Sequence, residues 1–201
     1  MPLTFVDTRQ HIQITPGSHL PHWAQGHSTQ FITFRLADSL PQDKLLEIKQ
    51  SRQQWLNDHP KPWDTDTTMQ YDSLTQTCDK WIDAGYGECI LQYVEVRDIV
   101  VQTIMYGDKD EYDVMAFVIM PNHVHVILAV RDGHSLQDIV GKWKRVSSHR
   151  INKLLGREGS VWERDAFDRL LRSYKDYTNK VNYIIDNPKH LPLGTYTLYI
   201  K

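Results

Sequence analysis

Hydrophobic and polar positions recur with clear periods along much of the chain. Residues 31–36 are rich in β-branched and aromatic side chains, which favours a strand. Residues 42–57 lack Gly and Pro and carry apolar side chains at helical intervals, which predicts a helix. Two further strand-like runs, 112–120 and 123–130, flank Pro121-Asn122, a pair that favours a tight turn. These two runs therefore predict a β-hairpin.

The N-terminal half carries weaker signals elsewhere. Pro and Gly punctuate residues 1–28, which predicts an irregular lead-in, and breaker residues predict a loop at 58–70. A helix is expected at 73–84, ending at Gly85. Residues 89–106 suit a helix, but their β-branched residues would also suit a strand.

The C-terminal part predicts two more helices. The first covers 135–155, with Ser135 as its N-cap and Gly156 after its end. A short strand is expected near 161–162, and a final helical region covers 167–187. No linker is long enough to divide the chain, so residues 1–201 are expected to form one domain.

Two histidines begin the second strand of the predicted hairpin. Residues i and i+2 of a strand point to the same face, so His123 and His125 project side by side. Two neutral imidazoles at this spacing can share one metal ion; a pair of hydrogen-bonded, partly buried histidines is the alternative. The opposite face of the strand is a row of apolar side chains: Val124, Val126, Leu128 and Val130.

Tyr183 lies off the apolar stripe of the predicted final helix. On a helical projection it falls roughly 150° from the middle of the stripe, so it is either a surface residue or a functional one. Lys180 lies one turn before it and Asn187 one turn after it on the same face. The stripe itself, interpreted as core packing, consists of Leu170, Tyr174, Tyr177, Val181, Ile184 and Ile185.

Composition narrows the class of protein. Hydrophobic residues make up 40% of the chain and charged residues 24%, which is ordinary for a globular domain. The longest apolar stretch, 114–130, is interrupted by Pro121, Asn122 and the two histidines, so no membrane span is expected. No basic-then-apolar leader begins the chain and there are only two cysteines. A reduced, cytoplasmic setting is therefore expected.

Charge is divided unevenly although its sum is only -2. Residues 1–99 contain 13 acidic and 8 basic residues, whereas residues 100–201 contain 12 acidic and 15 basic ones. The segment 139–157 contains basic residues and no acidic one. This basic stripe is either a solvated helix face or a nucleic-acid contact.

The motifs together resemble one known family. Met-Pro-Asn-His-Val-His at 120–125 looks like the HUH motif of single-tyrosine transposases of insertion sequences, and the chain more closely resembles the REP-associated tyrosine transposases. The tail Lys-His-Leu-Pro-Leu-Gly at 189–194 departs from that family's usual sequence. The segments that carry the resemblance, spread over residues 20–190, are 20–23, 29–36, 116–125, 143–144, 161–169 and 181–188.

The resemblance implies a fold and a set of site residues. The fold would be α+β, with a ferredoxin-like antiparallel sheet around a central HUH hairpin, packed by helices. Tyr183 would be the nucleophile, and His123, His125 and Asn187 would bind a divalent metal, Mg²⁺ or Mn²⁺. Zn²⁺ is a further ion that the two imidazoles could bind.

The implied activity is metal-dependent cleavage and transfer of single-stranded DNA through a 5′-phosphotyrosine. The expected partner is hairpin-forming, REP-like DNA in the bacterial cytoplasm, and a homodimer is one of the states left open. A catalytically silent hairpin-binding protein and a zinc-dependent hydrolase are the alternatives. Trp143 could stack on a base or pack its helix onto the sheet. The candidate DNA contacts are Lys142, Trp143, Lys144, Arg145, Arg150, Arg164, Arg169 and Arg172.

Overall fold

The structure, a computed structural model, describes residues 3–7, 13–16, 21–60, 63, 67, 70, 81–82 and 84–201. Its centre is a five-stranded antiparallel sheet in the order β6-β3-β5-β4-β7. The strands are β3 (Thr29–Arg35), β4 (Tyr112–Ile119), β5 (His123–Val130), β6 (Phe167–Leu170) and β7 (Thr197–Ile200). β5, which carries both histidines, is the middle strand of the five and is buried along its whole length.

The order of the strands confirms the predicted α+β, ferredoxin-like fold. Without the added edge strand β7, the last strand along the chain, β6, lies beside the first, β3, and the hairpin β4–β5 completes the sheet. A crossover that contains a helix follows β3 and another follows β5, which is the β-α-β-β-α-β arrangement. The predicted hairpin is confirmed, with its first strand, β4, one residue shorter at the turn.

Four helices surround the sheet within the described residues. They are α1 (Gln42–Asp58), α2 (Val94–Met105), α3 (Leu136–Leu155) and α4 (Tyr174–Asp186), with short 3₁₀ turns at Ile90–Gln92 and Asn187–His190. The caps predicted for α3 are confirmed, because Ser135 Oγ accepts from the Asp138 N–H and Gly156 has a φ of 62°. The segment 89–106 forms a helix rather than a strand.

Two predictions of secondary structure were wrong, and two others fall mostly outside the described residues. The lead-in at 1–28 contains a hairpin of β1 (Gln13–Pro16) and β2 (Pro21–Ala24). Near 161–162 the chain forms only an isolated bridge between Leu36 and Trp162. Most of the predicted loop 58–70 and helix 73–84 lies outside the described residues.

The final helical region was also predicted too long. Residues 167–170 are strand β6, which pairs with β3, and helix α4 begins only after Ser173, whose side chain accepts from the Asp176 N–H. Leu170 therefore belongs to a strand and not to the predicted stripe. Tyr174 is 67% exposed and Ile185 is 37% exposed, so neither packs in the core. The helix therefore begins later than predicted, and its buried face is not the predicted stripe.

The sheet separates two cores of different composition. α2 and α3 pack on one face against Ile32, Phe34 and the apolar row of β5. α4 packs on the other face, against Phe31, Met115 and Ile127 among others. None of the helices within the described residues is both long and apolar enough to cross a membrane.

Candidate active site

The two histidines of β5 lie on the face covered by α4. His123 and His125 are each only 1% exposed, and their ring centroids are 4.7 Å apart. The structure thus brings the pair together as the alternation of the strand predicted. Both imidazoles are buried beneath a helix rather than displayed at the surface.

Burial keeps both imidazoles neutral. It lowers the pKa of His123 from its ordinary 6.5 to about 3, because a charged ring would lose its hydration. Burial also lowers the pKa of His125 well below the ordinary value, and the neighbouring His123 and Lys180 act in the same direction. Neutral imidazoles offer a nitrogen lone pair, which is the form that binds metal ions.

Each ring is oriented by a polar neighbour at its Nδ1. Thr33 Oγ1 lies 2.7 Å from Nδ1 of His125, across the β3–β5 pair. Asn122 Oδ1 lies 2.8 Å from Nδ1 of His123. Phe31 stacks on the His125 ring with a centroid distance of 5.3 Å. The Nε2 atoms are therefore the nitrogens left for the site, as expected for oriented metal-binding histidines.

Tyr183 reaches this pair from α4. Its hydroxyl lies 3.5 Å from Nε2 of His125, and the two ring centroids are 5.1 Å apart. Tyr183 is half-buried and packs against the core on the α4 face, as does Tyr177. The prediction that Tyr183 points away from the core was wrong, because its ring packs against Phe31 and His125 on the sheet face that α4 covers.

Asn187 lies one turn beyond Tyr183, where α4 passes into the 3₁₀ turn. Its backbone N–H donates to the Tyr183 carbonyl, and the residue is 9% exposed. Its Oδ1 is buried without a hydrogen-bond partner in the described part of the chain. A buried amide oxygen without a donor is costly, and a bound cation would satisfy it.

The acidic residues of the described chain do not join this cluster. Within the ranges described above, no group of three or more His, Cys, Asp or Glu side chains is placed to hold a metal ion. The two imidazoles are the donors that the structure brings into contact, and the buried amide oxygen of Asn187, one turn beyond Tyr183, is the third predicted donor. This set fits a divalent ion that keeps open positions for water and phosphate oxygens.

Three residues of this site have contacts that the sequence did not predict. Thr33 and Asn122 hold the imidazoles, and the Lys180 ammonium lies 5.1 Å from the centroid of the Tyr183 ring and 4.5 Å from that of Phe31. The register of β3 on β5 pairs Thr33 with His125 directly. Only that pairing, which needs the folded sheet, would have identified Thr33.

The candidate DNA contacts fall into two groups. Trp143 is 3% exposed and its indole N–H donates to the Tyr112 hydroxyl at 2.8 Å, so the base-stacking interpretation is wrong and the packing alternative is confirmed. The Lys144 ammonium donates to the carbonyls of residues 163, 164 and 165 at 2.8–3.1 Å, and burial lowers its pKa to about 8. Lys144 therefore links α3 to the loop before β6.

The remaining cations stay at the surface to different degrees. Lys142 forms an ion pair with Glu111, and Arg169 forms one with Asp176 at 3.2 Å. Arg145, Arg150 and Arg164 are exposed; Arg150 also donates to Gln102 at 2.6 Å. Arg172 is partly exposed. The exposed arginines of α3 lie across the sheet from Tyr183, since α3 covers the opposite face.

Comparisons with known proteins agree with the motif. Residues 93–180 match the family model described as "Transposase IS200 like". This segment contains both histidines of β5 and ends three residues before Tyr183.

One relative is the REP-associated tyrosine transposase of Escherichia coli strain K12. It is 28% identical over 100 residues, which cover 49% of this chain and 56% of that protein. The matched segment thus spans a little over half the length of the relative.

Two solved structures are similar in outline. One is a REP-associated tyrosine transposase bound to a REP hairpin, with a TM-score of 0.48 and 17% identity over 87% of this chain and 75% of that one. The other is a transposase-like protein of Deinococcus radiodurans R1, with a TM-score of 0.37 and 14% identity over 79% and 89%. On the two sequence matches, part of this chain is similar to the IS200-like transposases and to a REP-associated tyrosine transposase.

Proposed function

We propose that this chain is a metal-dependent transposase that cuts single-stranded DNA and transfers the cut end, with Tyr183 as the nucleophile. One observation carries the proposal: the Tyr183 hydroxyl lies 3.5 Å from Nε2 of His125, beside a second neutral imidazole. A nucleophilic hydroxyl beside metal-binding nitrogens is the arrangement that phosphoryl transfer by tyrosine needs.

His123, His125 and Asn187 would hold the divalent ion. Two Nε2 atoms and one amide oxygen suit Mn²⁺ better than Mg²⁺, because imidazole is the softer ligand, and either ion could serve in the cell. Bound there, the ion would withdraw charge from the scissile phosphate and orient it for in-line attack.

Tyr183 performs the bond exchange in this proposal. Its phenolic oxygen forms a bond to phosphorus and loses its proton, while the bond from phosphorus to the 3′-oxygen breaks and that oxygen takes up a proton. The products are a 5′-phosphotyrosine and a free 3′-hydroxyl. Attack by the 3′-hydroxyl of a second strand reverses the exchange and joins the strands. No ATP is needed, because the phosphotyrosine retains the energy of the broken bond.

Lys180 adds a positive charge at this place. A phenol is a weak nucleophile at neutral pH, and negative charge develops on its oxygen during attack. The Lys180 ammonium lies 5.1 Å from the centroid of the Tyr183 ring, where it would favour that charge and attract the phosphate backbone.

We extend the substrate class to hairpin-forming, REP-like DNA. The names of the relatives support this class. The exposed arginines 145, 150 and 164 would contact the phosphate backbone. Because α3 and Tyr183 lie on opposite faces of the sheet, a DNA that touches both must pass around a sheet edge. Arg169 lies near the β6 edge, on the face of Tyr183.

The test uses single-stranded hairpin oligonucleotides with randomised flanks, labelled at either end, together with Mn²⁺ or Mg²⁺. Attack by Tyr183 leaves the 5′-phosphate on the protein. The 3′-end label should therefore migrate with the protein on a denaturing gel, while the 5′-end label appears on a shorter fragment that a polymerase can extend. Tyr183→Phe should abolish both products, and Tyr177→Phe, a neighbour in the same core, should retain them.

The alternatives give different results. Release of both labels on free fragments, with none on the protein, would indicate a hydrolase. Binding of the hairpin with no cleavage under either metal would indicate a silent DNA-binding protein. Either result would overturn the proposed nucleophile.

A further inference from the structure

Asn122, in the turn between β4 and β5, connects a distant segment to His123. It is 2% exposed, and its Nδ2 donates to the carbonyls of Ile82 at 3.0 Å and Tyr86 at 3.2 Å. Its Oδ1 lies 2.8 Å from Nδ1 of His123. The side-chain amide therefore has a partner on both ends.

These contacts determine where the protons are. A backbone carbonyl only accepts hydrogen bonds, so the NH₂ end of the Asn122 amide must face Ile82 and Tyr86. The other end is a carbonyl oxygen, which also only accepts. The hydrogen bond to His123 then requires a proton on Nδ1 of the ring, because a bare Nδ1 would face a bare oxygen.

We infer that Asn122 is a positioning residue that holds neutral His123 in the tautomer protonated at Nδ1. In that tautomer Nε2 carries the lone pair. The orientation of the amide is set by two carbonyls about 40 residues earlier in the chain. The tautomer of His123 therefore depends on where the carbonyls of Ile82 and Tyr86 lie relative to the hairpin turn.

His125 provides the contrast. Its Nδ1 partner is the hydroxyl of Thr33, which can either donate or accept. Thr33 orients the ring without determining the tautomer. Of the two imidazoles, only that of His123 is fixed in one tautomer, because each hydrogen bond in its chain of partners can run in only one direction.

The consequence for metal binding rests on the proposed function. A ligand nitrogen must be unprotonated, so a fixed Nε2 lone pair removes the cost of moving a proton when the ion binds. Loss of Asn122 should therefore weaken Mn²⁺ binding by roughly 10- to 100-fold, the range seen when partners of metal-binding histidines are removed.

Nitrogen-15 NMR of the histidine side chains tests the tautomer in the metal-free full chain at neutral pH. The spectrum separates protonated from unprotonated ring nitrogens, and His123→Gln identifies the signals of His123. In the wild type, Nδ1 should carry the proton and Nε2 should not. In Asn122→Ala, part of the population should move to the form protonated at Nε2.

Asn152→Ala is the matched control. Asn152 also donates its amide to a carbonyl, that of Gly159 at 2.8 Å, but it lies on α3 across the sheet. This variant should leave both the His123 tautomer and the Mn²⁺ affinity, measured by titration calorimetry, unchanged. A thermal melt of each variant checks that it is folded.

A wild-type His123 protonated at Nε2 would overturn the inference, and this result does not depend on whether Asn122→Ala folds. An unchanged tautomer in a folded Asn122→Ala would overturn it as well. If the tautomer is as inferred but the wild type binds no Mn²⁺, the positioning role stands and the proposed function fails.

Discussion

The two faces of β5 bury their side chains equally well but with different chemistry. On the α2–α3 face, Val124, Val126 and Leu128 are fully buried in an apolar core. On the α4 face, at the same depth, lie His123 and His125. The first face gains free energy from every side chain that it removes from water. The second face removes two imidazoles from water and needs Thr33 and Asn122 to satisfy them.

Within β5, one face therefore contributes to stability and the other carries the groups proposed for function. Packing alone would favour apolar side chains at 123 and 125, since buried polar groups cost free energy unless every one is satisfied. Polar groups retained at such positions indicate a chemical role. The α4 face should therefore retain stability, but lose chemistry, when an imidazole and its polar partner are both replaced by apolar side chains. On the α2–α3 face, a truncated side chain should lower stability and leave the chemistry intact.

The largest effect expected is that of Tyr183→Phe on DNA cleavage. Removal of a covalent nucleophile typically lowers kcat by roughly 10⁴-fold or more, and no phosphotyrosine can form. The hydroxyl contacts His125 at 3.5 Å, which is a weak interaction, so the melting temperature should hardly change. Single-turnover cleavage and a thermal melt measure the two quantities.

Tyr177→Phe, on the same helix, should leave cleavage within about twofold of the wild type, because Tyr177 only packs. A covalent product from Tyr183→Phe would contradict the assignment of the nucleophile to Tyr183 and of the chemistry to the α4 face.

The next effect compares His125→Leu with Val126→Ala. His125→Leu should abolish Mn²⁺ binding, and it should cost about 1–3 kcal/mol of stability because the Thr33 hydroxyl loses its partner. Adding Thr33→Val should recover that stability without recovering metal binding. Val126→Ala should cost about 2 kcal/mol through a cavity on the other face.

Denaturant unfolding and calorimetric Mn²⁺ titration follow both properties in the three variants. Val126→Ala should retain its metal affinity. A double variant that is no more stable than His125→Leu would contradict the view that the imidazole is unfavourable for packing.

Acid should destabilise the α4 face before the rest of the fold. Burial lowers the pKa of His123 from 6.5 to about 3 and lowers that of His125 well below 6.5. In the unfolded chain both rings take up protons below about pH 6.5, while in the folded chain they stay neutral. Stability from these groups is thus complete above pH 6.5 and decreases as the pH falls towards 3.

The slope should reach about 1.4 kcal/mol per pH unit for each histidine. Free energies of unfolding measured between pH 7 and pH 4 give this slope for the wild type. The variant with His123→Leu and His125→Leu should show a much smaller slope. Equal slopes would mean that other groups cause the acid sensitivity.

The sequence alone predicted the features that depend on neighbouring residues, and it missed those that depend on contacts between distant parts of the chain. The alternation in β5 placed His123 and His125 on one face correctly, because a strand's period is a local property. The predicted start of α4 was wrong, because residues 167–170 pair with β3 in the sheet, which no local pattern records. Tyr183 was still selected, through the resemblance rather than through its predicted exposure.

The same limit explains the error at Trp143. Its position between two lysines suggested a nucleic-acid contact, whereas its partners, Phe34 and Tyr112, come from distant parts of the chain. Asn122 was visible as a turn residue, but its bonds to Ile82 and Tyr86 arise only in the folded protein.

The smallest effect expected is that of surface arginines on DNA affinity. Arg145→Ala and Arg164→Ala should each weaken hairpin binding several-fold and lower the salt dependence of binding by about one unit of slope, since each would remove one phosphate contact. Binding isotherms at several salt concentrations measure both quantities. Cleavage at saturating DNA should remain near wild type, because α3 lies across the sheet from Tyr183. Suppose instead that Arg145→Ala bound DNA normally but no longer cut it. The α2–α3 face would then take part in the chemistry, which would contradict the assignment of chemistry to the α4 face alone.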